Sequence, residues 1–254
     1  MSGNAGYRLA GNQQSHSQAA AAEPPLIPPP LTRAMPLILR MERDAMPARS
    51  ALLEAAASAA VALCCDDRSQ PGGPWWPEVQ PWLAGRIRKV ARRARGAHWV
   101  AVTELPGITV EHRGAQVRAL LPWLVAQTPR LVTRLQVGGT DVPPDDAGPP
   151  PDGLPVLWLP PHPLMTVGKA AAQVGHASVL LAAQLTADRR VMELQHWAAG
   201  GYRCAVRAAS ASQWVELTTG DWKQRGILLV RDAGFTEVPP GTVTVAAHFP
   251  PAPA

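Results

Sequence analysis

Residues 154–185 read LPVLWLPPHPLMTVGKAAAQVGHASVLLAAQL. The apolar run 154–159 has strand length, and the Pro-Pro-His-Pro that follows forbids further ladder bonding, so a strand ends there. From Gly168 onward Val174, Ala177, Leu181 and Leu185 recur at three- and four-residue intervals, which marks one buried helical face. Lys169, Gln173 and His176 share a neighbouring face. Thr166 suits the N-cap, and a capping box would then want Glu or Gln where Lys169 stands. An ammonium in a first turn faces the positive end of the helix dipole, at a cost of about 0.3–1 kcal/mol. The chain holds 24 lysines and arginines, of which only Lys89, Lys169 and Lys223 are lysine. In a composition that prefers arginine, a lysine at 169 points to a need for a compact, titratable ammonium. The plain alternative is a surface lysine left by chance.

Working outward, 36–59 runs ungapped against 155–178, EVQPWLAG (78–85) matches ELQHWAAG (193–200), and LVTRLQVGGTDVPP (131–144) matches ILLVRDAGFTEVPP (227–240). A duplication is the natural reading of these three blocks. Each copy then runs strand, helix, helix, strand, short helix, strand, last strand. In the second copy, 202–208, 227–231 and 242–248 read as strands, and Ser210 with Gln213 stands at capping-box spacing. Strands separated by helices give an α/β layered fold with a mixed sheet. Opposite Lys169, Gln173, His176 and Asp232 the alignment puts Ser50, Glu54, Ala57 and Gln136, so only the second copy carries the interesting ionisable set. Trp82 and its counterpart Trp197 read as shared core rather than as a base-stacking platform.

The 254 residues suffice for one large domain or two small ones. A net charge of +5 is compatible with a polyanionic partner. Cys64, Cys65 and Cys204 have neither metal nor disulfide-framework spacing, and a reducing cytoplasm is the expected location. Residues 1–33 read as a disordered tail without signal-peptide character, 141–153 as a proline-stiffened linker, and no run is long enough to span a membrane. Gly168-Lys169 is not a P-loop, because Pro163 and Ala170 stand where Gly and Ser or Thr are needed.

Asp232 ends an expected buried strand, Gly234 permits a turn, and Thr236 is brought back toward the aspartate. A carboxylate beside a hydroxyl and an ammonium can orient water, accept its proton and stabilise an oxyanion. A turn that merely satisfies local backbone donors is the bland alternative. Gly168-Lys169-Ala-Ala-Ala-Gln173-Val-Gly-His176-Ala177, joined to Asp232-Ala-Gly234-Phe-Thr236 and Pro240-Gly241-Thr242-Val-Thr244-Val245, resembles the type 2 peptidyl-tRNA hydrolase family over about 155–248.

The resemblance implies a three-layer α/β/α fold with a small mixed sheet, homodimers, and hydrolysis of the ester between a peptide and tRNA. It implies no metal and no cofactor. It assigns catalysis to Lys169, Asp232 and Thr236, with Gln173, His176, Gly168 and Gly234 in support. Val167, Phe235 and Glu237 depart from the family pattern and lower the positive charge near the expected tRNA path. Arg88, Arg92 and Arg95 fall at helical spacing in the first copy, with Arg86, Lys89 and Arg93 alongside, and these six are the expected RNA-binding cations; a solvated helix face is the alternative. The expected organisation is therefore a tail (1–33), a degenerate hydrolase-like repeat (34–140), a linker (141–153) and a catalytic domain (154–254). The two copies would pack as an intramolecular pseudo-dimer, with a homodimer as the alternative arrangement, tRNA as partner and no membrane. The competing function is a non-catalytic tRNA- or protein-binding descendant of the same fold.

Overall fold

A computed structural model describes residues 32–138, 142–234 and 236–249. The expected disordered tail falls almost wholly outside them, as does Phe235. The chain is an α/β protein with two sheet-helix units. The first unit runs β1 (Arg33–Arg40), α1 (Arg49–Cys65), α2 (Trp76–Leu83), β2 (Lys89–Ala94), α3 (Gly96–Thr103), β3 (Gly107–His112), β4 (Ala115–Leu120), β5 (Trp123–Leu124) and α4 (Arg130–Thr133). The second runs β6 (Val156–Leu159), α5 (Val167–Ala187), α6 (Val191–Ala199), β7 (Ala205–Ala208), α7 (Ala211–Thr218), β8 (Leu228–Arg231) and β9 (Val243–His248).

The sheets are ordered β2-β1-β4-β3, with β5 also on β1, and β7-β6-β9-β8. In each, the first strand is parallel to the one after the helices and antiparallel to the last. Local details repeat as well. The Trp82 indole donates to the Arg88 carbonyl at 2.8 Å, and the Trp197 indole to the Arg203 carbonyl at 2.7 Å. Ile87 and Tyr202, just before these acceptors, both adopt positive φ, 41° and 57°. Both tryptophans are buried.

Two sequence expectations are corrected. The arginines of 86–95 are not on a helix: Lys89–Ala94 is β2, paired along its length with β1. Charged residues recurring every three or four positions carry no burial preference, whereas pairing with β1, buried except at its two ends, satisfies the backbone of this segment. The third repeat block also fails. Residues 131–138 form the end of α4 and a bridge from Gln136 to Arg93, while the strand in the place of β8 is β3. Gln136 is therefore not the counterpart of Asp232. Between β3 and β4 there is only a tight turn, Arg113 and Gly114, both at positive φ, where the second unit has the loop 232–242.

The helices α1 and α5 lie side by side between the sheets, and one core cluster unites both units. Of α1 only Ala62 escapes burial, which suits a helix that is apolar nearly all round. Gly175 leaves room for a tight contact: a Cβ there would lie 3.2 Å from Ala60 Cβ, Leu37 Cδ1 and Lys89 Cδ. The outer face of the first sheet is covered by Trp99 and Val102 of α3 with Val132 and Leu135. The proline-rich segment from 142 is docked: Asp145 takes the Ser50 amide and hydroxyl at the start of α1, and Arg207 donates to the Gly148 and Pro149 carbonyls. No helix among the described residues is long and apolar enough to cross a membrane.

Candidate active site

The helix α5 begins as expected, with the Thr166 hydroxyl accepting from the Lys169 amide. The acid missing from its capping box arrives from elsewhere: Glu237 accepts from the Thr166 amide at 3.0 Å and the Thr166 hydroxyl at 2.7 Å. This frees the third helical position for Lys169.

At the end of β8 the loop 232–242 is pinned at its base by Asp232 N–H to the Thr242 carbonyl and Gly241 N–H to the Asp232 carbonyl. Gly234 has φ 78°, and any Cβ there would collide with Pro240 at 2.4 Å. Its amide donates to Asp232 Oδ1 at 2.8 Å. The other carboxylate oxygen, Oδ2, accepts from Lys169 Nζ at 2.5 Å and Gln173 Nε2 at 2.7 Å. Lys169 Nζ also donates to the Thr236 hydroxyl at 3.0 Å. The Lys169 and Asp232 side chains are each only 8% exposed. A desolvated ion pair adds little to stability over an apolar pair, but it fixes two charges in place. Gln173 is held in turn by the Thr244 hydroxyl, which donates to its Oε1 at 2.6 Å. The sequence signals Thr244 only through its place in the run Thr242-Val-Thr244-Val245.

These groups open on a cleft of about 480 Å³ between α5, the 232–237 loop and β2. Lys169, Asp232, Thr236, Gln173, His176 and Gly168 line it, and across from them so do Arg86, Arg88, Lys89, Arg92 and Arg93. Gly234 shapes the loop through its backbone. Arg95 stands apart, exposed at the N-cap of α3. Arg92 and Arg93 also tether the 133–138 segment through its carbonyls. Burial, reinforced by the charge of Lys89, pushes His176 down to about 3, so its imidazole is neutral at physiological pH.

The corresponding place in the first unit has the opposite charge order. Its helix carries the acid, Glu54, and its turn the base, Arg113, which donates to Ser50 Oγ and Glu54 Oε2. Glu54 also accepts from the Val206 amide and Arg207 and pairs with His112. The adjoining cavity, about 440 Å³, is walled by the docked 144–150 segment.

Residues 163–254 match the family model for peptidyl-tRNA hydrolase PTH2. A peptidyl-tRNA hydrolase of Staphylothermus marinus is 34% identical over 87 residues, 34% of this chain and 72% of that protein. The chain belongs to the PTH2 family. Two further relatives named peptidyl-tRNA hydrolase are those of Haloquadratum walsbyi, 39% identical over 88 residues (34% of this chain, 75% of that one), and Methanopyrus kandleri, 42% over 80 (30% and 66%). No solved structure matches the chain at a comparable level. The PTH2 match contains Lys169, Asp232 and Thr236 but not β2, so the cationic wall of the cleft is contributed by the unit outside the match.

Proposed function

We propose that this protein hydrolyses the ester joining a peptide or N-blocked amino acid to tRNA, and so recycles tRNA. The observation that carries the reading is the convergence, in one cleft, of the Lys169-Asp232-Thr236 set with basic residues from the other unit. Asp232, ordered by three donors, orients the attacking water; Thr236 holds it; Lys169 neutralises a phosphate or the oxyanion that forms on the ester carbonyl. Gln173 and Gly234 hold the carboxylate, and Gly168 and His176 shape the wall. Arg86, Arg88, Lys89, Arg92 and Arg93 take tRNA phosphates, each neutralised phosphate adding to the salt dependence of binding. Residues 34–140 act as a degenerate copy that forms an intramolecular pseudo-dimer with the catalytic copy, 154–254. The shared strand order and the paired tryptophan hydrogen bonds support that reading.

The test is release of N-acetyl-amino acid from N-acetyl-aminoacyl-tRNA. Wild-type release should persist in chelator and fall by at least about 100-fold in Asp232→Asn and Lys169→Ala, the scale of losing an electrostatic group from a transition state. Absence of release by folded wild-type protein would sink the enzyme reading. It would leave the second reading, a non-catalytic tRNA- or protein-binding descendant of the same fold; Glu237 supports the loss of activity in that reading, because its carboxylate occupies the helix N-terminus that an anionic substrate group would otherwise approach.

A further inference from the structure

Successive residues of a strand point to opposite faces, so a cleft lined by six in a row, Arg88 to Arg93, must run along the edge of the strand. β2 is the outermost strand of its sheet. The Arg88 and Ala94 carbonyls accept from the Met35 and Met41 amides, which turns the even-numbered residues toward β1. The Arg93 amide instead donates outward, to the Gln136 carbonyl at 2.9 Å. By the same alternation Lys89 and Ala91 direct their amides and carbonyls off the sheet. Among the described residues the bridge from Arg93 to Gln136 is the one strand pairing on this side of β2, so the edge is open beside Ala91 and Lys89. It is open at the reacting groups: a Cβ on Gly168, the neighbour of Lys169, would lie 3.7 Å from the Ala91 Cβ. The sister unit shows where such an amide points. The matched Trp82 and Trp197 hydrogen bonds align Ala91 with Val206, on the edge strand β7. The Val206 amide donates across to Glu54 Oε1 at 3.1 Å, and Glu54 is the counterpart of Gln173. In the cleft Gln173 is engaged by Asp232 and Thr244, and among the described residues nothing accepts from the Ala91 amide. A donor that the first unit's cluster fills with a carboxylate is left open in the cleft.

We propose that the free edge of β2 binds the peptide part of peptidyl-tRNA as an added strand, whose main chain exchanges hydrogen bonds with the amides and carbonyls of Ala91 and Lys89. This rests on the peptidyl-tRNA reading above and supplies the acyl side of it. An unpaired strand edge is a ready template for an extended chain. Main-chain bonds read no side chains, so a peptide of any sequence is held and its ester is delivered to Lys169 and Asp232. Ala91 keeps its methyl in the core, which leaves its main chain clear for a neighbour. At about 3.3 Å per residue, the open stretch from Lys89 to Ala91 takes two or three residues of peptide.

Hydrolysis by the whole protein of tRNAs carrying N-acetyl-alanine, or N-acetylated alanine peptides of two, three and four residues, reads this directly. The ratio kcat/KM should rise about two- to tenfold for each main-chain hydrogen bond gained, and level off after about three residues. Methylating one peptide nitrogen at a time in the four-residue substrate should slow hydrolysis at alternate positions only, because alternate residues of an added strand face the edge. Ala91→Pro removes an outward N–H and spares the ladder to β1, a change that edge strands tolerate; it should shrink the advantage of the four-residue substrate over N-acetyl-alanyl-tRNA. Hydrolysis indifferent to peptide length overturns the proposal. So does a length effect in which methylation acts at every position or at none, since the peptide would then be held through its side chains. The methylation series uses the wild-type chain and decides the matter even if Ala91→Pro fails to fold. Failure to hydrolyse any of these substrates would instead count against the hydrolase reading itself.

Discussion

Lys169 stands at a helix position that electrostatics disfavours, and the structure supplies the reason it is tolerated. Glu237, from a loop distant in sequence, takes over the capping-box role at Thr166, so the third position of α5 is released for an amine that binds Asp232 and Thr236. The same carboxylate puts a negative charge on the cleft wall where phosphates are expected. Glu237→Gln should therefore tighten tRNA binding by about two- to tenfold at low salt, with the gain fading at high salt as screening sets in. It should also cost a small part of the stability of α5 through the lost charge at its N-terminus. Filter-binding titrations at two salt concentrations, beside a thermal melt, check both; unchanged affinity at low salt would place Glu237 away from the phosphate path. The Lys169-Asp232-Thr236 set was legible in the sequence because it is written in short motifs with local turn chemistry. The part played by Glu237 was not, since its contact with Thr166 is set by how the loop folds back, which no spacing along the chain encodes.

At the scale of elements, legibility followed burial. The period of Val174, Ala177, Leu181 and Leu185 gave α5, and Ser210 with Gln213 forms the full capping box of α7. The arginines of β2 misled because their spacing fits a helix while nothing about a solvated guanidinium demands one; the strand is set by its partner β1. The third repeat block misled in a related way, since a shared Pro-Pro pair in two loops says nothing about which strands they join. The packing of α1 on α5 depends on small residues, and at Gly175 even a methyl group would crowd Ala60 and Leu37 at 3.2 Å. Gly175→Val should lower stability by about 1–3 kcal/mol through overpacking against Ala60 and Leu37. A urea midpoint unchanged from wild type would show that the two helices have more room than their contact implies.

For the whole molecule, the two units differ where chemistry is concerned and agree where packing is concerned. Arg113, Glu54 and Asp145 close the first unit's counterpart of the site with internal ion pairs and hydrogen bonds, and the 144–150 segment walls what remains. Only the second unit has the loop that brings an aspartate and a threonine to a lysine. One chain should therefore bind one tRNA acceptor end, although it carries two similar sheets. The face of α5 that would otherwise be open for a second copy is covered by α1, itself buried on nearly every side, so neither of these two helices offers an apolar face for dimerisation. Light scattering should find a single chain of 27.0 kDa alone and a one-to-one complex with tRNA. A two-to-one ratio of tRNA to protein would mean that the first unit's cluster opens to take substrate. An obligate dimer of whole chains would weigh against the self-contained pseudo-dimer proposed above, in which residues of both units of one chain already line the cleft.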